Sequence, residues 1–406
     1  MGDRRTVLRN ARIVTPDGVI HGGLEVSGVR IAAIRAGAAA GAEAGTAGTD
    51  PTAGAEAGTA GIDPGGGASD DLAAGWVLPG FVDIHVHGGG GSTYTTGDPD
   101  QARQTAAFHL RHGTTTSLAS LVSSGPELLL DATVALAPLV ADGVVAGIHH
   151  EGPYLARTRC GAQNPATLRD PDLAELSRLL EAADGGLRMV TIAPELPGAL
   201  HAISWLSERG VTVAVGHTDA TYAQTMDGIR AGATVGTHLF NGMRPPHHRE
   251  PGPVYALLGA RQAVCELIAD GTHLHDATLR FAADVAGPAR AALVTDAMAA
   301  AGMPDGQYEL GGQPVTVADG VARLGSSEQG PGSIAGSTLT MDAALRRAVA
   351  AGISLVDAAT MAATTPARTV GLDDRGALVA GKRADLVVLD DDLRVRRVMR
   401  AGQWVA

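Results

Sequence analysis

The sequence predicts an α/β protein: a parallel (β/α)8 barrel, TIM-like, beside a small β-sandwich domain formed by both chain ends. Three observations carry this reading. Eight short apolar runs recur between Trp76 and Met298, each followed by polar residues and a helical stretch, and strands alternating with helices over such a length close into a barrel. Strand-like runs punctuated by turn residues occupy both ends of the chain. Hydrophobic residues make up 45% of the chain and aromatics only 3%, so the core must be aliphatic.

Taken in order, VLRNARIV and GLEVSGVRIAAI within residues 4–34 read as short strands, and residues 1–75 form the N-terminal part of the small β-domain. Residues 35–74 interrupt it: GAEAGTAGTDP at 41–51 is nearly repeated by GAEAGTAGIDP at 54–64. A small, polar, Gly-rich tract cannot bury a core and is expected to be a disordered insertion. The barrel is assigned to 76–302 plus 332–370, with the runs VLPGFVDIHVH, TTTSLASL, VVAGIHHEGP, LRMVTIAPE, VTVAVGHT, ATVGTHLFN, VCELIADGTH and AALVTDAM as its strands. Leu339 to Ala362 reads as helical, and 303–331 with 371–406 supplies the C-terminal part of the β-domain.

The formal charge of −12 comes without a basic block, which argues against a nucleic-acid surface. Cys160 and Cys265 match no paired motif, so a reducing compartment is expected. No apolar run approaches the roughly 18 residues of a membrane span, and a cytoplasmic location is expected.

The chemistry collects at the strand ends. In such barrels the active site lies at the C-terminal ends of the strands. The first strand ends in His85 and His87, whose spacing of two turns both imidazoles to the same side. His149, His150 and Glu151 end the third, His217 the fifth, His238 the sixth, His273 the seventh and Asp296 the eighth. A lone histidine at a strand end is usually packed or solvated, and a lone aspartate usually caps a helix. Six of eight strands delivering such residues to one layer is a different matter. Imidazoles and carboxylates together suit Zn²⁺ or another first-row divalent ion. Such an ion polarises a carbonyl and activates water, and Asp296 is the natural residue to move the proton.

At these residues the chain resembles the amidohydrolase superfamily and, within it, the N-acetylglucosamine-6-phosphate deacetylase family. The matching segments are LPGFVDIHVHGGGG at 78–91, HHEGPYL at 149–155, GHTDA at 216–220, THLFNGM at 237–243, REPG at 249–252, DGTH at 270–273, VTDAM at 294–298, GSIAGSTLTMDAA at 332–344 and GALVAGKRADLVVLD at 376–390. The first of these points only to the superfamily; HxEGP, THLFNxM and SIAGSTLTMD are more specific.

The resemblance implies hydrolysis of the N-acetyl amide of N-acetylglucosamine-6-phosphate. It implies Glu151, His217 and His238 as ligands of the main metal, Asp296 as catalytic acid/base, and His273 as a sugar contact. Asn241, Gly242 and Arg249 would hold the phosphate, the arginine reaching into the neighbouring active site of a homodimer. The expected cofactor is a divalent metal ion, zinc first, with iron, cobalt, manganese and cadmium as other candidates. His85 and His87 leave a second metal site chemically open, with Glu151 as a bridge. Gln163 stands where some relatives place a histidine on the substrate carbonyl; an amide there donates a hydrogen bond but does not titrate. Cys160 lies in the same loop, where a plain small loop residue is the simpler reading than a regulatory thiol.

Some superfamily cousins bridge two metals with a carboxylated lysine on strand four. The chain has one lysine, Lys382, past the barrel, which excludes that mechanism. An amino-purine deaminase would share the HxH pair and late aspartate but not the phosphate residues. A deacetylase of an epimeric N-acetyl-amino-sugar phosphate would keep every residue named here. A scaffold without catalysis has no need to retain this ligand set.

Overall fold

The computed structural model describes residues 5–37, 68–325 and 332–405. Eight parallel strands stand side by side in chain order: Phe81–Asp83, Thr114–Val122, Gly147–Glu151, Leu187–Ile192, Thr212–Val215, Val235–Gly236, Val264–Ile268 and Ala291–Val294. Helices follow them, from Pro99–Arg111 after the first to Met341–Ala350 after the eighth. Most of these strands are buried along their whole length, which is why they read as continuous apolar runs rather than alternating ones. The ring closes between its first and last strands through backbone bonds: Asp296 N–H donates to His85 O at 2.8 Å and His87 N–H to Ala297 O at 2.8 Å. Asp83, fully buried, reinforces the seam by accepting from Thr295 Oγ1 at 2.5 Å.

The core is aliphatic, as the composition requires. Tyr94, Tyr154 and Phe81 are its largest fully buried side chains, and apart from Phe108 and Cys265 the rest is Leu, Ile, Val, Ala and Met. Helix starts are fixed locally: Asp98 and Asp172 cap Pro99–Arg111 and Leu173–Ala182, and Thr221 with Gln224 forms a capping box on Tyr222–Arg230.

Both chain ends build one further sheet around a core of its own that includes Leu8, Ile13, Leu24, Leu386 and Met399. Its ends meet: Ile31 N–H donates to Lys382 O at 2.9 Å, and Gly402 N–H to Ala384 O at 2.9 Å. Trp76–Pro79 belongs here, antiparallel to Leu386–Leu389, rather than to the barrel. Gly80 makes the transfer between the two sheets, because a Cβ there would fall 2.3 Å from Thr115 Oγ1.

Three expectations need correction. The described residues of 303–331 do not join the sheet of the chain ends. Gly306–Leu310, Gln313–Ala318 and Val321–Leu324 form a separate antiparallel meander, whose inward residues Leu310, Val315 and Val317 pack on Val122, Met298 and Ala335 at the barrel mouth. The alternating pattern showed strands but not which sheet owned them. The helical stretch from Leu339 breaks between Ala350 and Leu355, where Gly352 adopts φ +94°, and it continues to Thr369. The expected insertion at 35–74 is shorter: Arg30–Ala36 is strand, and Ala68–Asp71 pairs with Thr6–Arg9. The repeat itself lies outside the described residues. Among the described residues, no helix is long and apolar enough to cross a membrane.

Candidate metal centre and active site

At the C-terminal mouth of the barrel, a cavity of about 260 Å³ gathers most of the residues singled out from the sequence. His87, Glu151, His217 and His238 form its floor, Asp296, His273 and Gln163 its sides, and Asn241 and Gly242 part of its rim. His85 is completely buried directly behind. Arg249 is not among them; it is exposed, on the loop before Gly252–Gly259, with its guanidinium against His248.

Glu151 is the hub. His217 Nε2 and His238 Nε2 each lie 3.0 Å from its Oε1 and 3.1 Å from each other. On the other oxygen, His87 Nε2 lies 3.2 Å from Oε2, and His85 Nε2 lies 3.2 Å from His87 Nε2. Two three-residue groups with metal-binding geometry result, His85–His87–Glu151 and Glu151–His217–His238, sharing the carboxylate. Asp296 Oδ1 stands 3.1 Å from His87 Nε2.

The outer contacts fix which nitrogen faces inward. His87 Nδ1 donates to Ser120 O at 3.0 Å, His217 Nδ1 to Arg159 O at 2.8 Å and His238 Nδ1 to Asn241 O at 3.1 Å. A carbonyl can only accept, so each Nδ1 carries a proton and, in the neutral ring, each Nε2 presents a lone pair to Glu151. His85 Nδ1 does the same against the Glu266 carboxylate at 2.9 Å. Lone pairs facing each other at such distances repel unless a cation sits between them. A tetrahedral ion with bonds of about 2.0–2.1 Å separates its ligand atoms by roughly 3.3 Å, so the donor set fits a first-row divalent metal.

The electrostatics agree. Burial alone would lower His87, but hydrogen bonds to Asp296 and Glu151 push it up to about 9. Burial would likewise raise Glu151, yet the His85 charge and the hydrogen bonds of His217 and His238 hold it well below the ordinary carboxylate range. The pocket therefore draws positive charge, as protons or as a metal ion, and metal binding there must release protons. Asp296 behaves similarly: burial opposes its charge, but His85 and His87 hold its carboxyl below the ordinary value.

His149 and His150, at the same strand end, take no part. His149 is pinned between Ser120 Oγ and Thr191 Oγ1, each at 2.9 Å. His150 turns outward to Thr133 Oγ1 at 3.0 Å, and burial lowers it to about 3. Gln163 donates from Nε2 to Glu151 Oε2 at 2.6 Å and accepts from Ser123 N–H at 2.8 Å.

Backbone strain concentrates here. His217, His238 and Asp296 have φ of +45°, +26° and +49°, conformations costing about 1–3 kcal/mol each. Neighbouring segments hold two of them: His238 N–H donates to Glu266 Oε2 at 3.1 Å, and Ser337 N–H to Asp296 O at 2.7 Å.

Sequence reasoning missed two carboxylates. Asp270 accepts from His273 Nδ1 at 2.6 Å and so orients that ring; its spacing of three in DGTH was the available signal. Glu266 is the lone charge inside the apolar run VCELI, itself a mark of a special position.

The profile of the Amidohydrolase family matches residues 76–405. An N-acetylgalactosamine-6-phosphate deacetylase of Escherichia coli O157:H7 is 40% identical over 333 residues, covering 80% of this chain and 87% of that one. An N-acetylglucosamine-6-phosphate deacetylase of Lysinibacillus sphaericus is 34% identical and covers 81% and 85%. Among solved structures, an N-acetyl-D-glucosamine-6-phosphate deacetylase mutant from Mycobacterium smegmatis, in complex with N-acetyl-D-glucosamine-6-phosphate, is 45% identical. It superposes with a TM-score of 0.89 over 99% of both chains.

Proposed function

Because this chain belongs to the amidohydrolase family, we propose that it is a metal-dependent deacetylase converting N-acetylglucosamine-6-phosphate to glucosamine-6-phosphate and acetate. The observation that carries this reading is the meeting, in one cavity, of the Glu151-centred cation cradle, the Asp296 carboxylate and the Asn241–Gly242 rim. Likeness to deacetylases of two amino-sugar phosphates supports the same substrate class.

Glu151, His217 and His238 would hold the ion, His85 and His87 offer a second position, and the donor set favours zinc. When bound, the ion supplies polarisation of the amide carbonyl and a water nucleophile at neutral pH. Asp296 accepts the proton of the attacking water and returns it to the departing amine. Its depressed pKa means that it enters as the carboxylate, ready to act as base. Asp270 holds His273 through Nδ1, leaving Nε2 to contact the sugar. Gln163 spends one amide hydrogen on Glu151 and keeps the other for the substrate.

The phosphate is assigned to the Asn241–Gly242 backbone and to Arg249 of a second copy in a homodimer. Arg249 is exposed outside its own cavity, and Tyr222 and Tyr255, which are 40% and 55% exposed, lie on the two helices that flank its loop. An arginine is suited to bidentate phosphate contact. Both cysteines are free, which suits a reducing cytoplasm.

Mass-spectrometric identification of the products of metal-replete protein and N-acetylglucosamine-6-phosphate tests the proposal. Glucosamine-6-phosphate and acetate, lost on chelation and regained with Zn²⁺, are the expected result. Turnover of the galactosamine epimer alone would reassign the sugar, and no acetate from either would refute the deacetylase reading.

A further inference from the structure

Glu266 is fully buried, and its Oε2 joins the two halves of the cation cradle. That single oxygen accepts from His85 Nδ1 at 2.9 Å and from the His238 backbone N–H at 3.1 Å. Its other oxygen, Oε1, has no hydrogen-bond partner. A buried carboxylate is costly unless it is paired or faces positive charge. Glu266 here receives one imidazole N–H and one backbone N–H, and among the described residues His85 is its ion-pair partner.

We propose that Glu266 is the positioning residue of the second cation position: it fixes the His85 tautomer, aims Nε2 at Glu151 and His87, and supplies the negative charge that makes a cation there favourable. Three observations support this. In the neutral ring, the form that can bind a cation, the Nδ1 contact leaves His85 Nε2 only as an acceptor. The inner carboxylates Glu151 and Asp296 together with Glu266 carry three formal negative charges, one more than a single divalent ion neutralises. The same oxygen also holds the backbone of His238, in its strained φ of +26°, so the two positions share one support. By contrast, His217 and His238 of the other position are oriented at Nδ1 by neutral carbonyls, so the charge of Glu266 bears unequally on the two positions.

The inference depends on the cluster being a cation site and not on the identity of the sugar. The test is a titration of metal-free protein with Co²⁺, followed by equilibrium dialysis and by the visible absorption of the bound ion. Wild type should take two ions per chain. Glu266→Gln keeps the shape and an accepting oxygen but loses the charge. It should bind one ion about as wild type does and the second about 10–100-fold more weakly. Its circular dichroism should match wild type. Should Glu266→Gln not fold, Glu266→Asp, which keeps the charge but withdraws the shared oxygen from both His85 Nδ1 and the His238 N–H, should weaken both ions and the second by more, because only there is a ligand ring itself released. Uptake of one ion only by wild type, equal weakening of both positions, or an unaltered second affinity would each overturn the proposal. Loss of acetate release with two ions still bound would instead count against the deacetylase reading.

Discussion

Replacing Gly242 with alanine should loosen the metal without touching a ligand. Gly242 has φ +60°, and a Cβ built there stands 2.9 Å from His217 Nδ1 and 3.2 Å from Cε1. Ordinary contact begins near 3.5 Å, so the ring must retreat by several tenths of an ångström. It cannot do so freely, because Nδ1 is bonded to Arg159 O at 2.8 Å. The left-handed backbone adds about 1–2 kcal/mol for any residue with a Cβ. Losing the orientation of a ligating histidine typically costs 10–100-fold in metal affinity, or about 1.4–2.8 kcal/mol. Gly161 is an internal control: its φ is +58°, but an added Cβ would lie 3.3 Å from the same ring at Cε1, a softer contact. Chelator competition should therefore show a 10–100-fold loss for Gly242→Ala and a much smaller one for Gly161→Ala, with similar losses of stability. Metal affinity unchanged in folded Gly242→Ala, or equal losses in both variants, would refute this reasoning.

Asp296→Asn should keep its metal while acetate release falls about 10²–10⁴-fold, the usual contribution of a general base; a fall of less than tenfold would remove it from the central role. Arg249→Ala should raise KM for the phosphorylated sugar with little change in kcat. Mixed dimers with Asp296→Asn should regain activity, since one of their two sites then has both residues, and absence of rescue would place the arginine's action within its own chain. Asp342, far from the cavity floor, accepts from Thr340 Oγ1 at 2.6 Å and Arg346 Nη1 at 2.8 Å. Burial alone would raise it, but hydrogen bonds from His112, Thr340 and Arg346 hold it well below the usual range. A depressed carboxylate stabilises the fold above its unfolded value of about 4, and that contribution fades as pH falls toward the folded value. Asp342→Asn should thus lower the denaturation midpoint at pH 7, with the gap to wild type narrowing below about pH 4; a gap independent of pH would contradict the assignment.

The barrel was legible because its strands are buried on both faces and so stand out as apolar runs, and because polar residues at their ends break that pattern in one layer. His85, His87, Glu151, His217, His238 and Asp296 could be read for that reason. His149 and His150 share the signal: His150 points away because adjacent strand residues face opposite ways, whereas His149 shares the side of Glu151 but is held one layer back by Ser120 and Thr191. The meander at Gly306–Leu324 was legible as strands only: its inward side packs on the barrel rim through Val122 and Met298, contacts between residues distant in the chain. Glu266 and Asp270 bond to another side chain, His85 and His273, and such contacts appear only when the distances do. Arg249 is legible only as an exposed arginine beside a turn, since the phosphate contact proposed for it would lie across an interface with a second copy.

The most direct test of the account compares initial rates of acetate release from N-acetylglucosamine-6-phosphate and from N-acetylglucosamine, using metal-replete protein at equal concentrations. Rapid turnover of the phosphorylated sugar and little of the free one is the predicted result, because the same cavity must hold the amide at the Glu151 cradle and the phosphate at the Asn241–Gly242 rim. Equal rates on the two sugars, or no acetate from the phosphorylated one, would contradict it.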